Sequence, residues 1–348
     1  MNEIEKLKNF PHLLLYWGDK GGGLRLLSET IHEIVNAGYS TVKVSVKSKT
    51  YDFLISQINP SKGEKTRIIN IFAPSVFDRL FLFLKLPFSE KKLTKNLNQS
   101  ESIVVLMSSP GDLQIDCLSS YGVKVTRVIH DIKKHPGDLW PTNKTIKKMI
   151  SSQRIITLSN FVFESIQHSN KFESSLARRN VATEIDSNLF NSSESYFVSV
   201  GRFKKYKNLE MLREIAKVSP EKNFIFAGVG SSAFKSIPNV KVIDRWLQDA
   251  ELEALIKNST ALLALYLEAS QSGIVEQALY WRIPCIVLNR GALFEQVKQQ
   301  NLTKFFPENP DAKSIAKLLN SNFDEWKNSI PAYEVNETFY QTLLRLDI

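Results

Sequence analysis

Residues 261–287 constrain the fold more than any other stretch, because an apolar run, a polar turn and a helical pattern follow one another there. Residues 261–266 read Ala-Leu-Leu-Ala-Leu-Tyr, a continuous apolar run typical of a strand buried on both faces of a parallel sheet. After the turn at 270–273, Ser-Gln-Ser-Gly, apolar residues recur at helical spacing until Pro284 closes the pattern. We therefore predict a strand-to-helix junction.

The residues of this junction favour a ligand that combines phosphate with hydroxyl groups. Either Ser270 or Ser272 can cap the helix, Gly273 allows a close approach, and the unpaired amides of the first helical turn can bind phosphate. Glu276 would repel a phosphate but can accept hydrogen bonds from the vicinal hydroxyls of a sugar. The pattern therefore indicates a nucleotide sugar. A capped surface helix that carries two solvated glutamates, Glu268 and Glu276, is the alternative interpretation.

The spacing Glu268-x7-Glu276, with the apolar helix and the Arg-Ile-Pro-Cys-Ile-Val segment at 282–287, resembles the signature of retaining glycosyltransferases of family 4 (glycosyl transferases group 1). The resemblance implies the GT-B fold, contact of Glu268 with donor-sugar hydroxyls, and binding of the ribose by Glu276. It also implies that the diphosphate lies against the amides of three turn residues, Ser272, Gly273 and Ile274. This turn departs from the family, which usually has Gly-Phe-Gly or similar after the first Glu, whereas this chain has Ala-Ser-Gln-Ser-Gly. We therefore expect different sugar-facing contacts.

A second motif opens the C-terminal half, where a predicted strand at 196–200 leads into Gly201. Arg202 and Lys207 follow, five residues apart, and resemble the cation pair that lies against the donor diphosphate in the family. An arginine fork and a lysine point charge can together neutralise the charge that builds on a leaving phosphate. An ordinary basic loop is the alternative. By the same resemblance, Trp246 and Leu247 are candidates for contact with the nucleotide base.

The N-terminal half begins as a strand-helix-strand unit with a glycine-rich turn. Gly21, Gly22 and Gly23 stand between a predicted strand at 13–17 and a helix that stops near Gly38. They do not form the G-x-G-x-x-G dinucleotide fingerprint, so they are predicted either to contact a ligand or to form a tight turn.

A histidine stands at the end of a later strand. The run at 123–129 delivers His130 and Asp131 to its carboxyl end, where open α/β sheets place their ligands. The resemblance implies that His130 lies beside the donor sugar, with Asp131 orienting the imidazole or binding the acceptor. The segment at 154–161 resembles the last N-terminal strand of the family and the helix cap after it.

Composition limits the class of protein and of partner. The 348 residues are 43% apolar and 23% charged, which is normal for a soluble globular chain of two domains. With only two cysteines, Cys117 and Cys285, neither a disulfide framework nor a thiolate metal site is expected, and the compartment is predicted to be reducing. The net charge of +9 calls for an anionic partner. No common nucleic-acid motif occurs, so nucleic acid is not expected.

One segment combines aromatic bulk with positive charge. Residues 76–88 are rich in Phe and Leu, and Lys91, Lys92 and Lys95 follow closely. The segment is too short to span a bilayer, but this combination is expected of chain that lies in a membrane interface. The alternative is a core helix with a solvated basic tail.

Together these observations predict an α/β, GT-B chain of two Rossmann-like, doubly wound domains that face each other across a cleft. Residues 1–190 would form the acceptor domain, residues 191–331 the donor domain, and a C-terminal helix within 332–348 would pack back on the first. The predicted protein is a cytoplasmic, retaining glycosyltransferase that needs no cofactor or metal and contacts the inner face of the membrane through residues 76–95. It would move a hexose from a nucleotide-diphosphate sugar, UDP-sugar favoured, to a polyprenyl-diphosphate-linked glycan in bacterial surface polysaccharide synthesis. A soluble acceptor, or a catalytically silent nucleotide-sugar-binding scaffold, are the competing hypotheses.

Overall fold

A computed structural model describes residues 9–18, 21–57, 66–73, 102–107, 115–116, 118–119, 122–134, 141–176, 195–298, 310–331 and 337–346. The chain divides into two compact units. The first consists of Met1–Lys134, Leu139–Asn180 and Asn336–Ile348, and the second of His135–Asp138 and Val181–Val335. The sequence predicts a linker at 182–195, where the chain loses its periodicity and becomes polar; apart from Ser195, this linker lies outside the described residues, as does the aromatic, basic segment at 76–95.

The first unit is built on a parallel sheet of seven strands in the order β3-β2-β1-β4-β5-β6-β7. Its central strands are buried on both faces: every residue of β4 and β5 is buried, including the polar Thr126 and Arg127 of β5. The strands are β1 Asn9–Tyr16, β2 Thr41–Val46, β3 Arg67–Asn70, β4 Ser102–Val105, β5 Val125–Ile129, β6 Arg154–Thr157 and β7 Lys171–Glu173.

Helices cover this sheet by burying one apolar face each. The first, α1, is the longest, and Leu27, Ile31 and Ile34 lie in the core beneath it. Among the described residues, the helices of this unit that precede the C-terminal one are α1 Gly22–Asn36, α2 Ser48–Gln57, α3 Asn143–Ile150 and α4 Asn160–Glu164.

The last helix of the chain also belongs to the first unit. Its Phe339 and Leu343 are fully buried in the same core as α1. Two buried side chains meet the carbonyls at its end: His12 Nε2 donates to Leu343 O at 2.9 Å, and Arg154 donates to Leu346 O at 2.6 Å. Carbonyls in the last turn of a helix have no partner within the helix, so these bonds satisfy them and hold the helix on the sheet.

The second unit has a five-stranded parallel sheet in the order β10-β9-β8-β11-β12. The strands are β8 Tyr196–Val200, β9 Asn223–Ala227, β10 Val240–Ile243, β11 Ala261–Ala264 and β12 Cys285–Val287. The helices are α5 Leu209–Val218, α6 Asp249–Lys257, α7 Gly273–Tyr280, α8 Leu293–Lys298, α9 Ala312–Leu318 and α10 Phe323–Ser329, and the last helix of the chain, in the first unit, is α11 Phe339–Arg345.

The two parallel α/β sheets confirm the predicted fold class, with one correction. The segment at 154–161 does not contain the last strand of the first unit, because β7 follows it and pairs with β6. Strand β7 has only three residues, Lys-Phe-Glu, none of them fully buried, so it carries no apolar run that would signal a strand. In the described part of the chain, no helix is long and apolar enough to cross a membrane.

Candidate functional site

The second sheet changes winding direction between two neighbouring strands, β8 and β11. The chain passes from β8 to β9 on one side and later returns to place β11 on the other side of β8. In open α/β sheets, ligands bind outside the carboxyl ends of the strands at such a switch point. Here those ends lead into two segments singled out from the sequence, the loop that carries Arg202 and Lys207 and the turn that carries Glu268.

The loop after β8 is shaped by two glycines that approach each other closely. Gly201 has φ +99° and Gly228 has φ +134°, a region that side chains rarely adopt. A Cβ on Gly228 would stand 2.0 Å from the carbonyl oxygen of Gly201. The loop is joined to the strand end of β11 by a hydrogen bond of 2.7 Å from Leu267 N to Tyr206 O. The two predicted motifs therefore lie side by side.

Lys207 is buried, with only 2% of its surface exposed. Its ammonium donates to Val200 O at 2.5 Å and to Tyr266 Oη at 3.1 Å, and it lies 4.6 Å from the centre of the Tyr266 ring. No carboxylate of the described residues pairs with it. A buried cation is costly unless it is paired, so this position favours an anionic ligand.

The electrostatics of Lys207 follow from this burial. Desolvation lowers the pKa of Lys207; the neighbouring phenol of Tyr206 opposes this and the Arg202 guanidinium adds to it. Arg202 itself is exposed. The loop therefore presents one sheltered and one accessible cation, which suits a group with two negative charges.

Tyr266 connects this cation to the next motif and was missed in the sequence, where it reads as the last residue of an apolar strand. Its hydroxyl accepts a hydrogen bond from Lys207 and is also hydrogen-bonded to the side chain of Ser272. Burial raises the pKa of Tyr266 to about 12, so the phenol stays neutral. Lysine and tyrosine stand 59 residues apart, and only the tertiary fold shows that they meet.

Ser272 caps helix α7 and resolves the choice between the two predicted serines. Its Oγ accepts from Val275 N at 3.3 Å, and it precedes the first helical residue, Gly273. Its own backbone N–H donates to Gln296 Oε1 at 2.9 Å. Of the three amides expected to hold a diphosphate, that of Ser272 is therefore already engaged. The amides of Gly273 and Ile274 donate to no described residue.

Gln296 on α8 is a second residue that the sequence did not indicate. Its carboxamide accepts from Ser272 N and donates to Glu276 Oε1 at 2.6 Å. One side chain therefore fixes both the start of α7 and the carboxylate one turn into it. Gln296 is 24 residues from Ser272 and 20 residues from Glu276 along the chain, so no local sequence pattern could indicate these hydrogen bonds.

The remaining predicted residues of this unit differ in how accessible they are. Glu268 is exposed in the turn after β11. Trp246 is 47% exposed on the loop after β10, whereas Leu247 is 8% exposed and belongs to the hydrophobic core of this unit. Trp246 can therefore offer its ring to a base, but Leu247 can offer only its backbone.

In the first unit, the glycine-rich turn follows β1, at the switch point between β1 and β4. Gly21 has φ +85° and precedes α1 with no side-chain cap. A Cβ on Gly23 would stand 2.4 Å from the Tyr16 ring, so this glycine lets the helix pack tightly on the strand. Gly22 has more room, with Met107 3.5 Å from its built Cβ.

His130 and Asp131 lie at the carboxyl end of β5, as predicted from the order of the strands. His130 Nδ1 and Asp131 Oδ1 are 3.2 Å apart. Burial alone would lower the pKa of the imidazole, but the Asp131 carboxylate outweighs it, so the pKa of His130 lies above its usual value. The pair therefore favours an imidazolium, which can interact with a negatively charged group.

Metal ligands do not cluster in the described ranges: no group of three His, Cys, Asp or Glu side chains stands close enough to hold an ion.

Comparison with known proteins identifies the second unit. Residues 180–330 match the family model described as glycosyl transferases group 1. The chain carries a glycosyl transferases group 1 domain. This match supports glycosyltransferase as the class of enzyme. No curated protein sequence matches the chain.

Solved structures that resemble the whole chain show that its fold is GT-B. UDP-GlcNAc 2-epimerase from Neisseria meningitidis, solved with UDP-GlcNAc, is 13% identical with a TM-score of 0.62, over 96% of this chain and 98% of that one. WaaG, a glycosyltransferase involved in lipopolysaccharide biosynthesis, is 12% identical with a TM-score of 0.61, over 97% and 98%. Sucrose-phosphate synthase from Thermosynechococcus elongatus is 12% identical with a TM-score of 0.62, over 97% of each chain.

Proposed function

We propose that this glycosyltransferase is a retaining enzyme that transfers a hexose or related sugar from a UDP-sugar to a lipid-linked oligosaccharide in bacterial surface polysaccharide synthesis. The observation that carries the donor part of the proposal is the buried ammonium of Lys207. It has no carboxylate partner among the described residues and is joined through Tyr266 to the N-cap of α7.

The donor diphosphate would bind between the cations and the start of α7. Lys207 and Arg202 supply positive charge, and the amides of Gly273 and Ile274 supply donors at the positive end of the helix dipole. These groups stabilise the negative charge that develops on the leaving nucleotide, so no metal is required in this proposal. Glu276, held by Gln296, accepts from the ribose, and Trp246 stacks on the base.

The sugar and the reaction centre would involve Glu268 and His130. Glu268 is an exposed carboxylate in the turn after β11 and can accept hydrogen bonds from sugar hydroxyls. His130, whose pKa the Asp131 carboxylate raises, is proposed to lie near the transferred sugar. Retention is proposed through a front-face reaction. The acceptor oxygen bonds to the anomeric carbon on the face from which the nucleoside diphosphate leaves, the anomeric C–O bond to the phosphate breaks, and a phosphate oxygen of the leaving group takes the proton of the acceptor hydroxyl.

The choices of UDP and of a lipid-linked acceptor rest on separate support. The similar Neisseria epimerase was solved with UDP-GlcNAc, which favours uracil as the base. WaaG is involved in lipopolysaccharide biosynthesis, and residues 76–95 of this chain combine aromatic and basic residues, which supports an acceptor at a membrane surface. The same residues support a location on the inner face of the membrane.

Thermal shift measurement with a panel of nucleotides tests the donor site. UDP, GDP, ADP and their common sugar conjugates are added to the wild-type chain, to Lys207→Met and to Lys205→Met. A ligand at a hundred times its dissociation constant adds about 2.7 kcal/mol of stability, which shifts the melting temperature by several degrees. We expect a shift with UDP and UDP-sugars in the wild type and in Lys205→Met, because that lysine is exposed on the same loop. We expect none in Lys207→Met.

Either of two results would contradict the donor proposal: no shift with any nucleotide at millimolar concentration, or an equal shift in Lys207→Met. The acceptor is tested next, by transfer of radiolabelled sugar to polyprenyl-linked glycan and to soluble glycans. NMR of the product determines the anomeric configuration. Incorporation into soluble glycans alone refutes the lipid-linked acceptor, and conversion of the donor to its 2-epimer without transfer refutes the transferase itself.

A further inference from the structure

The turn before α7 contains a carboxamide whose hydrogen-bonding capacity is unused. Gln271 is only 5% exposed, and both its Nε2 and Oε1 atoms are shielded from solvent with no hydrogen-bond partner. It stands directly before Ser272, the N-cap of α7, and three residues after Glu268.

Such a group is unusual inside a protein. A carboxamide offers two N–H donors and an acceptor oxygen, and most buried side-chain polar atoms find at least one partner. Leaving them unpaired destabilises the fold, so an apolar side chain of the same size would suit this position better if packing alone mattered. The glutamine therefore points to a role in binding.

The neighbouring polar groups already have their partners. The Ser272 hydroxyl caps the helix and meets Tyr266, and the Gln296 carboxamide bridges Ser272 and Glu276. Gln271 is consequently the carboxamide in this turn that can still serve a ligand.

We propose that Gln271 is a specificity-determining residue of the donor site, whose carboxamide hydrogen-bonds a hydroxyl of the donor sugar. This proposal rests on the nucleotide-sugar donor proposed above. The amide can donate to the hydroxyl oxygen and accept its proton, a pairing that distinguishes a sugar hydroxyl from a hydrogen at the same carbon. Because its polar atoms are shielded, the side chain reaches the sugar by a change of rotamer.

A sugar hydroxyl is a better partner for this group than the diphosphate. The carboxamide is neutral and half of its capacity is an acceptor, which a phosphate cannot satisfy, whereas two cations and two open helix amides are already available for the diphosphate. Its neighbour in the turn, Glu268, can only accept. Together, the two side chains can hydrogen-bond sugar hydroxyls of different orientation and so distinguish one sugar from another.

Isothermal titration of Gln271→Met with UDP, UDP-glucose and UDP-N-acetylglucosamine tests this role. Methionine keeps the length and approximate volume of the side chain but removes the amide. We expect the affinity for UDP to stay within twofold of the wild type and the affinity for the preferred UDP-sugar to fall about tenfold. The melting temperature without nucleotide should be equal or higher. Gln277→Met, six residues further along the chain and within α7, is the matched control, and it should leave both affinities unchanged.

The outcomes separate this proposal from the one on which it rests. If wild-type protein binds UDP-sugar and Gln271→Met binds it equally well, the carboxamide does not read the sugar, and the donor site is unaffected. If Gln271→Met loses UDP and UDP-sugar to the same extent, the residue shapes the nucleotide site and the specificity role is wrong. Absence of any nucleotide binding by the wild type overturns both proposals. Should Gln271→Met fail to fold, Gln271→Leu is titrated in the same way.

Discussion

The hydroxyl of Tyr266 should contribute more to stability than an ordinary buried tyrosine hydroxyl, because it accepts from an ammonium. Tyr266→Phe keeps the ring 4.6 Å from Lys207 Nζ and removes only the hydroxyl, so one of the two hydrogen bonds of the cation is lost, together with the hydrogen bond to the Ser272 side chain. A hydrogen bond to a charged group contributes about 1.5 to 3 kcal/mol, and we expect a loss of about 2 kcal/mol.

Tyr196 provides a matched control in the same sheet. Its buried hydroxyl donates to the neutral carbonyl of Leu255 at 3.0 Å, and burial raises its pKa to about 12, as for Tyr266. A neutral hydrogen bond contributes about 1 kcal/mol, so Tyr196→Phe should cost about half as much. For a domain of about 150 to 250 residues, a loss of 1 kcal/mol lowers the melting temperature by about 2 to 4 °C. We therefore expect a fall of about 4 to 8 °C for Tyr266→Phe and of about 2 to 4 °C for Tyr196→Phe.

The assay is thermal and urea denaturation of the two variants, each with and without UDP. In Tyr266→Phe the ammonium of Lys207 is held by one hydrogen bond instead of two, so we expect the stabilisation by UDP to fall as well. In Tyr196→Phe it should match the wild type. Equal destabilisation of the two variants, together with equal stabilisation by UDP, would refute the argument that Tyr266 positions Lys207.

Two further predictions concern pH. Since burial lowers the pKa of Lys207, the affinity for UDP should fall as pH rises, at a pH below the ordinary lysine pKa of 10.5. In the same range the stability of the fold should rise with pH, because the unfolded chain binds the additional proton. Titration of the protein with UDP from pH 7 to 10 measures the affinity, and an affinity independent of pH argues against a charged Lys207. Asp131→Asn should lower the pKa of His130, because burial remains while the carboxylate is lost. The raised pKa of His130 in the wild type stabilises the fold below pH 6.5, and this contribution disappears as pH rises through that raised pKa. NMR titration of the imidazole checks the shift, and an unchanged pKa would exclude Asp131 as its cause.

The sequence indicated the elements of the fold where each element carries its own pattern. The apolar run at 196–200 predicts β8 with the bounds that the structure shows, Tyr196–Val200, and the helical pattern that stops near Gly38 corresponds to α1, which ends at Asn36. Strand β7 could not be predicted from the sequence, because its three residues form no apolar run. The strand is stabilised by pairing with β6 rather than by burial of its own side chains. Strand order and the switch points likewise follow from tertiary packing.

For the candidate site, the sequence indicated residues but not their partners. Arg202, Lys207 and Glu276 stand in recognisable spacings, whereas Tyr266 and Gln296 act through contacts that join distant segments. The burial of Lys207 could not be predicted either, because a lysine in a basic loop is ordinarily solvated. Its depth depends on the aromatic rings of Tyr206 and Tyr266, which only the fold brings around it.

The docking of α11 on the first sheet makes the order of synthesis matter. A ribosome releases residues 9–176 long before it completes Phe339–Arg345, so for most of translation His12 and Arg154 have no helix carbonyls to bind. The first unit can therefore complete its packing only after α11 has left the ribosome. A fragment that ends at the linker lacks this closure, and we expect it to expose the apolar surface that Phe339 and Leu343 cover and to aggregate.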